Sequence, residues 1–390
     1  MISNKTCLII KNDGLGDLVL SSGLITEIAN SFNGEVDLLT CKENGEIAEN
    51  IEGVENIFYV SRDSLRYIPI LWRFGIYVPH ISRSEKKQLN ILKRKKYYSA
   101  ICLRRFIRQS TFIIMKYVNA ENKYCFWQFP TNINIISAQH LSRNWKHIIG
   151  NLNVKSELLY YQGLIEDIFK MKVDSTSRLM IKNDNKYLLE HKLVGIGISG
   201  SSTNWKTEYW VELCNILNLE GYRILLFGGK NVEHISNKIN RNINNNLENY
   251  VGKISFIESI KHLKRVSIYI GNDTGFSHFA SLLVSKKIII MGGGTFGRFF
   301  PWPTSTNQHL LFNKLDCFDC GWNCKYKEKY CLNLIYPKDV FSWMEKVIYD
   351  NNASQNKNLQ RKPKRFETIT FGNLPTSRLF LKNIIKRIIK

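Results

Sequence analysis

Residues 271–278 read Gly-Asn-Asp-Thr-Gly-Phe-Ser-His. An apolar run with Val266, Ile268, Tyr269 and Ile270 precedes them, and the amphipathic Phe279, Ala280, Leu282 and Leu283 follow. This pattern predicts a strand, a glycine-rich turn and the start of a helix. Gly271 and Gly275 would let the backbone approach a ligand closely, and free N–H groups at a helix start favour an anion. Asp273 and His278 would add polar contacts. On turn chemistry alone, Asp273 serves equally well as a helix cap.

A second segment has the same form. Residues 8–17 read Leu-Ile-Ile-Lys-Asn-Asp-Gly-Leu-Gly-Asp, again strand, turn and helix start. Together the two segments resemble glycosyltransferase family 9, the heptosyltransferases of lipopolysaccharide core synthesis. The carrying residues are the Gly16-Asp17 pair, the Asp273-Thr274-Gly275-x-x-His278 signature, and between them Ser201-Ser202-Thr203-Asn204-Trp205-Lys206. The resemblance runs from about residue 7 to about residue 348.

Apolar runs alternating with helical spacing argue for α/β architecture with parallel sheets. In the first half, Cys7–Ile10, Val36–Thr40, 57–60 and 98–103 read as strands, and 17–32 as a helix. In the second, 193–198, 222–227, 266–270 and Lys287–Met291 read as strands, and 208–219, 232–239, 254–263, 277–283 and Pro337–Tyr349 as helices. The expected division is an acceptor-side Rossmann-like domain at 1–181, a donor domain with a Cys-rich loop at 187–350, and a basic tether and tail at 351–390. The polar stretch 182–186 would be the linker, 61–97 an insertion over the acceptor side, and 351–377 flexible. That the two halves face each other across a cleft, the glycosyltransferase B arrangement, is implied by the resemblance.

The formal charge of +22 implies an anionic partner. Residues 61–116 hold fourteen Lys or Arg against two acids, and residues 357–390 hold ten against one. No nucleic-acid-binding signature accompanies the charge, so nucleic acid is not the expected partner. Leu381, Ile384, Ile385, Ile388 and Ile389 form one stripe, with Lys382, Lys386, Arg387 and Lys390 opposite. That is a basic amphipathic helix of membrane-surface type, unless it docks on the protein itself. With no spanning helix and no signal peptide expected, the protein reads as cytoplasmic, peripheral on the inner face of the inner membrane.

Sugar transfer needs a base, positive charge on the leaving diphosphate and a nucleotide pocket. Asp17 is the candidate base, with Asp13 its rival and helix capping the alternative role. Lys206 is the candidate diphosphate clamp, though a solvated Lys beside a packed Trp205 would look the same. Donor-binding candidates are Ser201, Thr203, Glu233, Asp273, Thr274, Gly275 and His278, with His278 orienting rather than reacting. The run Gly292-Gly293-Gly294-Thr295 reads as another close-approach loop. Cys317, Cys320, Cys324 and Cys331 follow a C-x2-C-x3-C-x6-C spacing that fits either a structural Zn or Fe site or reduced thiols. The other five cysteines fall in apolar segments and are expected in the core.

The resemblance implies an inverting enzyme with no cofactor required for catalysis. It implies transfer of heptose from ADP-heptose, a nucleotide-sugar donor, to a lipopolysaccharide core or other lipid-linked oligosaccharide acceptor. A protein acceptor, or a non-catalytic nucleotide-sugar-binding module, are the alternatives.

Overall fold

The computed structural model describes residues 5–34, 36–62, 65–67, 78–126, 143–148, 153–180, 188–199, 204–243, 245–305, 307–349 and 356–363. Fifteen strands occur among them: β1 (Cys7–Ile10), β2 (Val36–Thr40), β3 (Val54–Tyr59), β4 (Arg66–Tyr67), β5 (Pro79–His80), β6 (Tyr97–Cys102), β7 (Ala120–Phe126), β8 (Lys146–Ile148), β9 (Glu190–Gly197), β10 (Arg223–Phe227), β11 (Leu247–Asn249), β12 (Val266–Asn272), β13 (Lys287–Met291), β14 (Gln308–Phe312) and β15 (Asn356–Asn358). Two sheets dominate, one in the order β3-β2-β1-β6-β7-β8 and one in the order β11-β10-β9-β12-β13-β14-β15. All pairings in both are parallel. Their central strands are buried on both faces, which explains continuous apolar runs such as Cys-Leu-Ile-Ile in β1 and Lys-Ile-Ile-Ile-Met in β13. The architecture is α/β with two Rossmann-like units.

Each sheet reverses its strand order at a central pair, β1/β6 in the first and β9/β12 in the second. Ligands of open α/β sheets bind outside the carboxyl ends of strands at such reversals. The segments after β1 and β12 are the two turns read from sequence.

One apolar cluster includes Leu18, Leu24 and Ile28 of helix Leu15–Ser31 together with Phe279, Ala280 and Val284 from the other half. The halves therefore share a dry interface rather than touching through polar loops alone. A second cluster, with Trp205, Trp210, Ile268 and Ile290, lies within the second half. A third, with Leu8, Ile10, Leu89 and Ile114, lies within the first.

The expected insertion at 61–97 contains the antiparallel pair β4–β5 and helix Arg83–Arg94. That helix starts with a reciprocal cap, Ser82 Oγ accepting from the Glu85 N–H at 3.3 Å and Glu85 Oε2 accepting from the Ser82 N–H at 3.1 Å. The helix expected over 254–263 is only Ser259–Leu263.

The flexible tether is corrected at 356–363. Asn356–Asn358 adds β15 to the edge of the second sheet, because parallel pairing with β14 uses backbone groups that Asn and Lys supply as well as Val does. Arg361 fastens the segment, Nη2 donating to Asp339 Oδ1 at 2.8 Å and Nη1 to the Leu334 carbonyl at 3.0 Å. The linker 182–186 and the amphipathic stretch 381–389 lie outside the described residues.

Candidate active site

The turn after β1 gathers charge. Lys11, the next residue, is wholly buried. Its Nζ donates to Asp13 Oδ2 at 3.1 Å and to the Leu103 carbonyl at 3.0 Å, and lies 4.5 Å from the centre of the Tyr161 ring. Arg104, just beyond β6, donates from Nη1 to Asn12 Oδ1 at 2.9 Å, and its Nε lies 4.0 Å from Asp13 Oδ2. Two buried cations thus neutralise Asp13.

Asp17 sits in the first turn of helix Leu15–Ser31, where its Oδ2 accepts the Gly14 N–H at 3.2 Å. Burial pushes its carboxyl up to about 7, with Asp13 adding repulsion, Lys11 opposing it, Glu157 repelling and Arg298 opposing. A carboxyl that exchanges its proton near neutrality is poised for base catalysis.

The turn after β12 is built from tied groups. Asp273 is 9% exposed; its Oδ2 accepts from Thr295 Oγ1 at 2.7 Å and its Oδ1 lies 3.5 Å from His278 Nε2. His278 Nδ1 accepts the Trp302 indole N–H at 2.9 Å, and its ring stacks on Phe300 with centroids 4.3 Å apart. His278 thus has Nδ1 occupied by Trp302 and Nε2 beside the Asp273 carboxylate. Thr274 caps helix Gly275–Leu283 by accepting the Ser277 N–H at 3.3 Å.

The two turns meet back to back. A Cβ added at Gly16 would lie 2.6 Å from His278 Cδ2 and 3.0 Å from Gly275 Cα. One added at Gly275 would lie 3.2 Å from the Gly16 nitrogen. Glycine is required at both because backbone passes backbone here. Beside Gly14 opens a pocket of about 330 Å³, lined by Asp13, Asn44 and Arg62 of the first half and Phe256 of the second.

The remaining expected residues are more scattered. Lys206 precedes helix Thr207–Leu219; its Nζ lies 3.7 Å from Glu328 Oε2 and 5.6 Å from the Tyr209 ring centre. Its neighbour Trp205 donates its N–H to Asn272 Oδ1 at 3.3 Å, which ties this segment to the signature turn. Ser201 and Thr203 lie outside the described residues. Glu233 opens helix Glu233–Asn242, its Oε1 lying 2.5 Å from where a Cβ on Gly252 would be.

The glycine run at 292–294 is corrected from a ligand loop to a packing surface. A Cβ at Gly293 would lie 2.6 Å from Phe318 Cδ2, and one at Gly294 would lie 2.3 Å from Trp322 Cδ2. Thr295 alone reaches the signature turn. The same packing shapes the cysteine loop, in which the thiols of Cys317, Cys320 and Cys324 all lie close enough to act on Cys331. Among the described residues, which include all four cysteines, no three His, Cys, Asp or Glu side chains are grouped to hold a metal. Cys331 is buried, with burial pushing its thiol up to about 11, while Cys317, Cys320 and Cys324 are half-buried. Aromatic rings seated on glycines set this loop's course. The other five cysteines are buried, as expected.

Sequence reasoning missed Lys11, Arg104, Glu157, Tyr161 and Arg298. Glu157 is 2% exposed and accepts from Arg298 Nε at 2.7 Å and from the Tyr161 hydroxyl at 2.5 Å. The i, i+4 spacing of Glu157 and Tyr161 on one helix face was the available signal.

Two parallel Rossmann-like sheets, each with a glycine-rich turn at its strand-order reversal and the two turns packed against each other, define a glycosyltransferase B architecture. A model of glycosyltransferase family 9 (heptosyltransferase) matches residues 102–329, more than half of the chain, and the chain belongs to that family. The matched span contains the 273–278 signature and begins after the Asp17 turn. A lipooligosaccharide heptosyltransferase 2 of Campylobacter jejuni serotype O:6 is 25% identical over 205 residues, covering 49% of this chain and 64% of that protein. The match thus spans a little under two thirds of that relative's length. The crystal structure of a family 9 glycosyl transferase from Veillonella parvula superposes with a TM-score of 0.65 at 13% identity, covering 89% of this chain and 98% of that one. The ADP-heptose lipopolysaccharide heptosyltransferase II structure from E. coli gives 0.62 at 14%, covering 89% and 100%. At these identities the likeness carries the fold.

Proposed function

We propose that this chain is an inverting heptosyltransferase that moves heptose from ADP-heptose to a lipopolysaccharide core or related lipid-linked acceptor. The single observation that carries the reading is the place of Asp17, half-buried in the first turn of the helix after β1, at the strand-order reversal where Gly16 packs on Gly275 of the signature turn. Asp17 takes the proton of the acceptor hydroxyl. The freed oxygen attacks the anomeric carbon from the face opposite the nucleotide, the carbon–oxygen bond to the diphosphate breaks, and ADP departs. Inversion follows from that single displacement. Asp13 is the less available carboxylate, because its Oδ2 is held by Lys11 at 3.1 Å and lies 4.0 Å from Arg104 Nε.

In this reading the backbone of Thr274 and Gly275, oriented through Asp273 and His278, faces the diphosphate. Lys206 swings from Glu328 to the same anion, with Ser201 and Thr203 beside it, and Glu233 accepts from the ribose. No cofactor takes part in the displacement. The pocket beside Gly14, with Arg62 at its edge, suits an anionic acceptor headgroup.

We assign the acceptor to 1–181, the donor to 187–350 and membrane contact to the basic tail. Among the described residues no helix is long and apolar enough to cross a membrane, so the proposed contact is peripheral, at the inner face of the inner membrane. The test is mass spectrometry of a core-deficient acceptor lipid incubated with ADP-heptose and purified protein. A mass gain of one heptose with wild type, absent with Asp17→Asn, supports the reading, and no gain with wild type overturns it.

A further inference from the structure

Glu157 and Arg298 lie in different halves and are joined twice. The Arg298 guanidinium donates to Glu157 Oε2 at 2.7 Å, and the Glu157 N–H donates to the Arg298 carbonyl at 2.8 Å. The guanidinium packs on Phe106 from the first half, at 5.1 Å, and on its neighbour Phe299, at 4.5 Å. Glu157 passes the connection on. Its Oε1 accepts from the Tyr161 hydroxyl, which in turn accepts the Arg105 N–H at 2.9 Å and lies 3.5 Å from Lys11 Nζ. Lys11 ends the chain on Asp13 in the turn that carries Asp17. A buried ion pair adds little net stability over an apolar pair of the same shape, so stability does not account for this one.

We propose that Glu157 and Arg298 are positioning residues for Asp17: a charge-compensated clasp between the halves that fixes the electrostatic surroundings of the base. The proposal rests on the reading of Asp17 as base. The charged groups acting on Asp17 are Asp13 and Lys11 from its own turn, Glu157 from helix Glu157–Phe169 and Arg298 from the β13–β14 loop. Asp273 and His278 lie behind Gly16 and are tied to each other. Glu157 makes the Asp17 anion less favourable and Arg298 makes it more so, so the two charges oppose each other at Asp17.

That opposition gives a test which a purely structural tie cannot pass. Glu157→Gln keeps the shape and leaves Arg298 unopposed, so the half-point of Asp17 moves down from about 7. Arg298→Gln leaves Glu157 unopposed and moves it up. Arg298→Lys keeps the charge and leaves the half-point near its original place, and the double Gln variant shifts less than the larger of the two single changes. Two readouts are used. One is the acid limb of kcat/KM with ADP-heptose and acceptor lipid. The other is the carbon-13 carboxyl titration of Asp17 in labelled protein, assigned by its loss in Asp17→Asn, which needs no turnover. Opposite shifts in the two single variants support the clasp. Shifts in the same direction, or none, overturn it. If wild type transfers no sugar, the heptosyltransferase reading falls while the titration still decides the clasp.

Discussion

After β1 the chain runs Asn12-Asp13-Gly14-Leu15-Gly16-Asp17 into a helix, and after β12 it runs Asn272-Asp273-Thr274-Gly275-Phe276-Ser277 into another. Both turns bury the Asn completely, both place an Asp next, and both enter a helix at a strand-order reversal. They part at the third helical residue. In the first half it is Asp17, whose carboxyl is held up to about 7 by burial. In the second it is Ser277, whose hydroxyl bonds back to the Asn272 carbonyl and lies 3.0 Å from the Tyr269 hydroxyl. One scaffold thus yields a turn with a titratable group to spare and a turn whose polar groups bind one another. On the reading proposed above, the first moves a proton and the second holds an anion with fixed N–H groups.

The strongest way to break this contrast is Asp17→Asn. Loss of a general base lowers kcat by roughly 10²- to 10⁴-fold, with ADP affinity unchanged in calorimetric titration. Near-normal turnover would move the base to Asp13. The same variant carries a stability signature. The folded-state value, about 7, lies above the ordinary 3.8, so charging Asp17 costs stability in full above about pH 7, and the cost fades toward pH 4. Asp17→Asn should therefore raise Tm most on the alkaline side, and an equal gain at both pH values would contradict the burial argument.

Next in size is Asp273→Ala, with Lys206→Ala beside it. Loss of a charge-assisted hydrogen bond costs about 1.5–3 kcal/mol, roughly ten- to over a hundredfold in ADP affinity. If both variants bind ADP like wild type, the second turn is not the anion site. Gly16→Ala forces a methyl against His278 Cδ2 and Gly275 Cα, and overpacking of this kind costs about 1–3 kcal/mol. Urea unfolding measures it, and an unchanged midpoint would mean that the halves part freely. The smallest effect is expected from Trp302→Phe, which strips His278 Nδ1 of its donor. About 1 kcal/mol of stability should go, with a modest loss of ADP affinity as Asp273 loosens.

Both turns were legible in the sequence because glycine, Asp and the flanking apolar runs are local signals. The Glu157–Arg298 pair was not, since its partners are 141 residues apart and meet only when the sheets dock. Strands β11 and β15 escaped for another reason. Leu-Glu-Asn and Asn-Lys-Asn carry no apolar pattern, and edge strands need none. The course of the cysteine loop was not legible, because spacing along a chain does not reveal that Phe318 and Trp322 seat it on Gly292, Gly293 and Gly294. The side-chain direction of Lys206 follows from Glu328 and Tyr209, which the local sequence does not contain.

The contact between Gly16 and Gly275 also governs how the molecule can move. Long side chains between two bodies can slide and re-pack, whereas Gly16 meets the His278 ring and the Gly275 backbone with no side chain of its own to give way. The halves therefore have little room to slide past each other at this point, one residue from Asp17.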